Sequence, residues 1–512
     1  MEPKALPGKA GHGYLKNFLV RLFLIGLLLL AARFAYEVVV AGEACNLGTF
    51  CFSSIRDNFK LVIPGSAVAG VGKIKDPNRV VSVSSPPHSS KDWIKAVQFY
   101  STVFQDLVID GNLSPSSKSL CVETPLGQDV YSLREIGVSD SIGVSVKSKS
   151  PLVVSYRREP LSPSLRLPFQ NETFDFVFAS GASLGKFRYP LQFASEVTRV
   201  LKPQGILVAH VAASDEYSFN SFLDLFKTCR MIKSRDRIGF DSSLPDIKEI
   251  VLRKGEDDSK LNSLSTTCPS PRHKLKLIES AEPLIMEEPL KPWLTLKRNI
   301  KNIKYLPSMA DISFKNRYIY VDVGARSYGS SIGSWFKKQY PKQNMTFEIY
   351  AIEADKTFHK EYEMKKGVTL LPYAAWVRNE TLSFEVNKDP GKDAKEKGRG
   401  MGRIQPAKSR LNGDVEEIQG FDFASWLKNT VTENDFVVLK MDVEGTEFDL
   451  IPRLFESGAI CLIDEVFLEC HYNRWQRCCP GERSSKYSTT YGQCVELFSS
   501  LRDSGVLVHQ WW

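Results

Sequence analysis

The sequence predicts an α/β chain: two open, mostly parallel twisted sheets in succession, behind a single N-terminal transmembrane helix. Three observations predict it. Apolar runs of strand length, such as Tyr318 to Val323 and Phe347 to Ile352, end in glycine or acidic residues and lead into helical patterns. A similar alternation occupies residues 91–255. An apolar segment at 18–40 follows a lysine-bearing tail.

Composition sets the bounds. A chain of 512 residues with 43% hydrophobic and 25% charged residues can bury several cores. Its formal net charge of +8 is modest for that length, and no basic patch interleaved with aromatics calls for nucleic acid. Residues 18–40 read FLVRLFLIGLLLLAARFAYEVVV. Spanning takes about 20 residues, so Arg21 and Arg33 fall near the ends, where their stems can snorkel. Lys4, Lys9, Lys16 and Arg21 precede the apolar centre against Glu2 alone. The positive-inside rule then makes 1–17 a cytosolic tail, 18–40 a signal-anchor and the rest lumenal, a single-pass type II membrane protein of the Golgi or another endomembrane. A signal peptide cleaved near Gly42 and Ala44 is the competing reading.

All ten cysteines follow that segment. None belongs to paired Cys-x-x-Cys spacings, so zinc is not expected. Cys45 with Cys51, and the cluster at 470–494, suit disulfides in an oxidising lumen. Asn171, Asn344 and Asn379 head glycosylation patterns. Residues 41–90, rich in Ser, Gly, Pro and Val, read as a stem.

In 91–255, Asp92 to Phe104 fits an amphipathic helix. The strand Ser119 to Val122 leads into ETPLGQD, and Ile142 to Val146 reads as a second strand. FDFVFAS at 174–180 and EVTRVLKPQGILV at 196–208 resemble the fourth strand and the following helix–turn–strand of class I methyltransferases. Pro125 stands where that fold carries a glycine-rich turn, and Lys147 and Lys149 stand where it places an acid. The unit is therefore expected to be a degenerate methyltransferase-like scaffold; Glu123 and Asp175 would carry a second site if it works. Residues 256–310 read as a charged, proline-bearing linker with a solvated His273.

The second unit, 311–512, holds the candidate site. Gly324 ends the first strand and lets backbone approach a ligand, and a helix expected from Ser330 to Lys338 offers N–H groups. Asp322 lies at the strand's carboxyl end, where such sheets bind ligands. Glu353 and Asp355 end the second strand, where an acid can accept ribose hydroxyls. The segment 368–376, with Ala374, can flank an adenine. Asp442 and Glu444 end a further strand, and His471 another.

VDVGA at 321–325, AIEAD at 351–355, LKMDVEGTEFDLI at 439–451 and LECHYN at 468–473 resemble, in that order, the FkbM-type methyltransferases. The resemblance implies two Rossmann-like class I methyltransferase domains in all. It also implies S-adenosylmethionine as cofactor, held by Asp322, Gly324, Ala325, Gly329, Glu353, Asp355 and Ala374. The family pattern has Asn where Arg326 stands. Asp442, Glu444 and His471 are the catalytic candidates. Asp442 would orient the acceptor hydroxyl or the sulfonium, and His471 would be the base. No metal ligand set is assigned, although Asp442 and Glu444 leave room for a magnesium dependence. The glycine- and lysine-rich stretch 388–410 reads as a mobile loop, or a lid that attracts an anionic substrate.

The implied function is O-methylation of a glycan or other hydroxyl-bearing acceptor in the secretory pathway. A non-catalytic scaffold and a Golgi glycosyltransferase are the alternatives. Against the latter, no Asp-x-Asp stands at a strand end to hold a metal–nucleotide-sugar complex.

Overall fold

The computed structural model describes residues 90–156, 166–180, 189–242, 244–255, 272–291, 294, 299–388, 399–405, 414–475 and 481–511. The expected signal-anchor at 18–40 and the stem up to residue 89 lie outside the described residues. Among the described residues no helix is long and apolar enough to cross a membrane.

Runs of β-branched and aromatic residues become strands wherever both faces can be buried. The first sheet comprises β1 (Ser119–Val122), β2 (Ser141–Ser145), β3 (Val153–Ser155), β4 (Phe174–Ala179), β5 (Leu201–Val211), β6 (Cys229–Ile238) and β7 (Asp246–Lys254), with β6 a charged, largely exposed edge strand. They lie in the order β3-β2-β1-β4-β5-β7-β6. Strands β1 to β5 pair in parallel, whereas β7 runs antiparallel to both neighbours. Helix α1 (Lys91–Ile109) is capped by Ser90, whose side chain accepts the Trp93 N–H. It buries Trp93, Ala96, Tyr100, Val103, Phe104 and Leu107 on one face.

The second sheet comprises β8 (Tyr318–Val323), β9 (Phe347–Ile352), β10 (Val368–Leu371), β15 (Phe436–Met441), β16 (Glu465–Glu469) and β17 (Leu507–Trp511). Its order is β10-β9-β8-β15-β16-β17, parallel throughout. This is the doubly wound arrangement whose order reverses between the first and fourth strands, here β8 and β15. Every residue of β8 and β15 is buried, which fixes the switch point between two apolar layers.

Four further strands make a separate sheet, β11 (Ala374–Trp376), β12 (Glu380–Lys388), β13 (Arg399–Gln405) and β14 (Asp414–Asp422), ordered β11-β14-β12-β13. The stretch 388–410, expected as a loop, contains β13, paired antiparallel with β12. Its flanks, 389–398 and 406–413, lie outside the described residues. One glycine that suggests mobility, Gly402, serves packing instead: a Cβ there would overlap the Phe384 ring. The segment 368–376 is likewise two strands, broken at Pro372-Tyr373.

The linker is also more ordered than expected, with a helix at Arg272–Glu279. His273 is half-buried with its ring edge against Tyr217 at 6.0 Å. Burial, then Lys274 and Lys315, push its pKa down to about 4. All described residues belong to one compact unit. Buried Asp464 accepts hydrogen bonds from Tyr217 Oη at 3.1 Å and the Val437 N–H at 3.0 Å, and pairs with Lys274 and Lys315. Burial opposes its charge, but the lysines prevail and bring its pKa down to about 2. In the expected cluster, Cys470 is bonded to Cys494, with Cα atoms 6.0 Å apart. Cys45 and Cys51 lie outside the described residues.

Candidate functional site

The candidate site opens at the switch point. The Asp442 N–H donates to the Val323 carbonyl at 3.0 Å, joining the carboxyl ends of β8 and β15. Gly324, at φ +79°, turns the chain away there. A Cβ at this position would overlap the Asp442 carbonyl oxygen, so only glycine keeps the passage. The N–H groups of Gly324 and Ala325 both donate to Ile352 O, at 3.0 and 3.1 Å.

A cleft of about 710 Å³, including its open mouth, runs from this point. Gly324, Glu353, Asp355, Ala374, Asp442 and Glu444 all line it. The other predicted residues lie elsewhere. Ala325 is wholly buried, and Gly329 faces open space away from the cleft lining. Asp322 is buried beneath the site. It takes hydrogen bonds from Tyr320 and Ser331 and faces Lys440 Nζ at 3.5 Å. His471, just past β16, is buried behind Asp442 and Glu444 and is not part of the lining.

The helix expected from Ser330 to Lys338 is a π-helical turn, Ile332–Phe336, running into Lys337–Gln339. It therefore presents no regular helix N-terminus to a ligand. Stacking of Phe336 on Tyr320, with centroids 3.8 Å apart, accounts for its packing.

Glu353 holds the loop around the cleft. Its Oε2 accepts the Arg326 N–H and its Oε1 the Asp355 N–H, each at 2.6 Å. Each oxygen keeps one lone pair for a ligand hydroxyl. Burial, despite those hydrogen bonds, pushes its pKa up to about 7. Arg326, at φ +51°, places its guanidinium 5.7 Å from the Phe358 ring centroid. Phe358, Tyr373, Phe384 and Ile404 supply apolar wall.

The acidic end has a histidine at its centre. His471 Nδ1 lies 3.2 Å from Glu447 Oε1, while Nε2 lies 3.6 Å from Asp442 Oδ1, 3.9 Å from Glu444 Oε1 and 4.0 Å from Glu469 Oε1. Burial opposes the imidazolium, but the Glu447 hydrogen bond and the surrounding carboxylates outweigh it, lifting the pKa to about 9. The ring is thus protonated at neutral pH, unlike the poised base expected from the sequence. Glu444, at φ +53°, takes hydrogen bonds from Lys486 at 2.5 Å and from Tyr487. Burial, then the charge of Asp442, push Glu469 up to about 7.

Glu447, Glu469 and Lys440 have no role among the sequence-based expectations, and Arg403 enters them only as one of the basic residues of the 388–410 lid. Glu447 and Glu469 lie in the motifs already quoted. Their i, i+3 and strand-end positions beside Glu444 and His471 were the available signal.

These shifts predict a pH dependence. Glu353 and Glu469 rise from an ordinary 4.5 to about 7, so the folded state binds more protons than the unfolded state in that window. Stability is expected to fall as pH rises through it. The contribution of His471, raised from 6.5 to about 9, is full below 6.5 and lost as pH rises through 9. The thermal midpoint should therefore decline between pH 5 and 9. His471→Gln should flatten the alkaline part in melts followed by circular dichroism.

The family described as "methyltransferase domain" matches residues 143–209, from β2 to β5. It begins past the β1 turn, where Glu123 adopts φ +58° and is hydrogen-bonded to Tyr156. The family described as "domain of unknown function (DUF7870)" matches 278–385 and 400–512. No curated protein matches. Among solved structures, an S-adenosylmethionine-dependent methyltransferase from Aquifex aeolicus is 15% identical, with 29% of this chain and 88% of that one covered at a TM-score of 0.24. Another from Mesorhizobium loti is 12% identical, with 29% and 96% covered at 0.23. The strand order of the first sheet and the domain match within it together show a class I methyltransferase fold for that unit, and S-adenosylmethionine is the cofactor that goes with it.

Proposed function

We propose that the chain is an S-adenosylmethionine-dependent O-methyltransferase of FkbM type, working from the cleft in 311–512. The observation that carries this reading is the convergence of Gly324, Glu353, Asp355, Ala374, Asp442 and Glu444 on one cavity at the switch point. When bound, the cofactor supplies a methyl group on a sulfonium. Glu353, with a free lone pair on each oxygen, would take the ribose hydroxyls. Phe358 and Ala374 offer apolar surface to the adenine, and the Gly324 turn leaves room for backbone approach. The carboxylates of Asp442 and Glu444 suit a cationic centre and would orient the acceptor hydroxyl at the cleft wall.

The acceptor we propose is a glycan or glycoconjugate in the secretory pathway, reached by a chain anchored through 18–40. The apolar segment and its flanking charges support the anchor, and the Cys470–Cys494 bond suits an oxidising compartment. The first unit, 91–255, is assigned a scaffold role. Its turn after β1 is occupied by its own side chains: Thr124 hydrogen-bonds buried Asp129 at 2.5 Å and accepts the Gly127 N–H.

The test is calorimetry of the purified chain with S-adenosylmethionine. Wild type should bind, and Glu353→Ala should weaken binding at least about tenfold, since it removes charge-assisted hydrogen bonds. Binding of a UDP-sugar instead would favour a glycosyltransferase, and binding of neither a scaffold.

A further inference from the structure

We propose that Asp442, Glu444 and His471 form a divalent-cation site at the cleft wall, one that Mn²⁺ can occupy and report on. Potential ligand atoms of all three lie within 4.8 Å of one another. The separations from His471 Nε2, 3.6 Å to Asp442 Oδ1 and 3.9 Å to Glu444 Oε1, are too long for hydrogen bonds. They match two ligands sharing one ion at about 2.1 Å from each, which stand about 3–4.2 Å apart. Glu469 Oε1, 4.0 Å from the same nitrogen, is within reach as a fourth donor.

Two independent features point to a ligand. Asp442 Oδ1 is buried without a hydrogen-bond partner, an arrangement that costs stability unless something binds it. The His471 side chain is only 9% exposed, and its other nitrogen is already engaged by Glu447 Oε1. Glu447 is itself wholly buried and fixed by the N–H groups of His471 at 2.6 Å and Gly445 at 2.9 Å. A carboxylate on one ring nitrogen is the usual second partner of a metal-bound imidazole; it aims the lone pair of the other nitrogen at the ion. Charge agrees: the carboxylates of Asp442, Glu444, Glu447 and Glu469 surround the ring, Asp322 lies behind them, and Lys440 and Lys486 are the lysines that face them. One imidazole among carboxylates is a mixed nitrogen–oxygen donor set that first-row divalent ions, Mn²⁺ among them, accept.

The ion takes the place of the ring proton, which leaves to solvent. Two of its three ligands line the cleft, so it can hold an acceptor oxygen there. That role rests on the methyltransferase reading, whereas ion binding does not.

The experiment is a Mn²⁺ titration of the EDTA-treated full chain, following the free-ion signal by electron paramagnetic resonance. One ion per chain is expected, with affinity at least about tenfold weaker in Asp442→Asn and in Glu447→Gln, the second acting only through the ring. Circular dichroism checks that each variant folds. No saturable binding by wild type, or undiminished binding by both folded variants, overturns the site. Mn²⁺ binding without S-adenosylmethionine binding sustains it and overturns only the role in methyl transfer.

Discussion

Gly324→Ala is expected to unfold the switch point and abolish cofactor binding together. At φ +79° the new side chain meets left-handed strain of about 1–2 kcal/mol. Its Cβ also meets the Asp442 carbonyl, a backbone atom held by the Asp442 N–H bond to Val323. No flexible side chain can give way, so β8 and β15 must part at their carboxyl ends. A total loss of about 2–5 kcal/mol follows from strain and overpacking combined. Urea unfolding gives the stability and calorimetry the binding. Gly329→Ala is the control: a Cβ there meets open space, and both quantities should stay near wild type. A Gly324→Ala protein that binds S-adenosylmethionine as well as wild type would place the site elsewhere.

Lys440→Met should be comparably severe. Lys440 and Asp322 lie on neighbouring strands in register. Both are buried, with Nζ 3.5 Å from Asp322 Oδ1 and 3.8 Å from Asp442 Oδ2. Asp322 Oδ1 has no hydrogen bond of its own, so the lysine is its compensation. Burial opposes the ammonium, but Asp322 and Asp442 outweigh it and hold its pKa above the ordinary lysine value. Removing one partner of a buried pair costs about 3–5 kcal/mol, because the other charge is left alone in a dry core. Adding Asp322→Asn to Lys440→Met should recover part of the loss. A double-mutant cycle in urea measures that recovery, and strict additivity would mean the two side chains do not depend on each other.

Much of this was readable in the chain. An apolar run closing on Gly324, and acids closing the runs at Glu353 and Asp442, are local patterns that parallel pairing turns into one cleft. What escaped depended on partners distant in sequence. RGMGRIQ at 399–405 looks like flexible, charged chain; it is a strand because Phe384 fills the space above Gly402, and Arg403 reaches Glu385 and the Lys486 carbonyl. His471 reads as a base poised near neutrality until the fold sets four carboxylates around it. Asp322 has the right position in the strand, but Ser331 and Lys440 claim its oxygens beneath the cleft. The helix after Gly329 is present but begins as a π-helical turn, with Phe336 stacked on Tyr320.

Asp464 bears on how the protein can be handled. Tyr217 comes from the first sheet's side, Lys274 from the connecting segment and Lys315 from the approach to β8, yet all three meet on this one carboxylate. Expressing the C-terminal half by itself would strip away two of those neighbours and uncover a face meant to be dry. A truncated gene starting at 311 should therefore yield poorly soluble product, and assays intended to isolate one half are better run on chains that retain both.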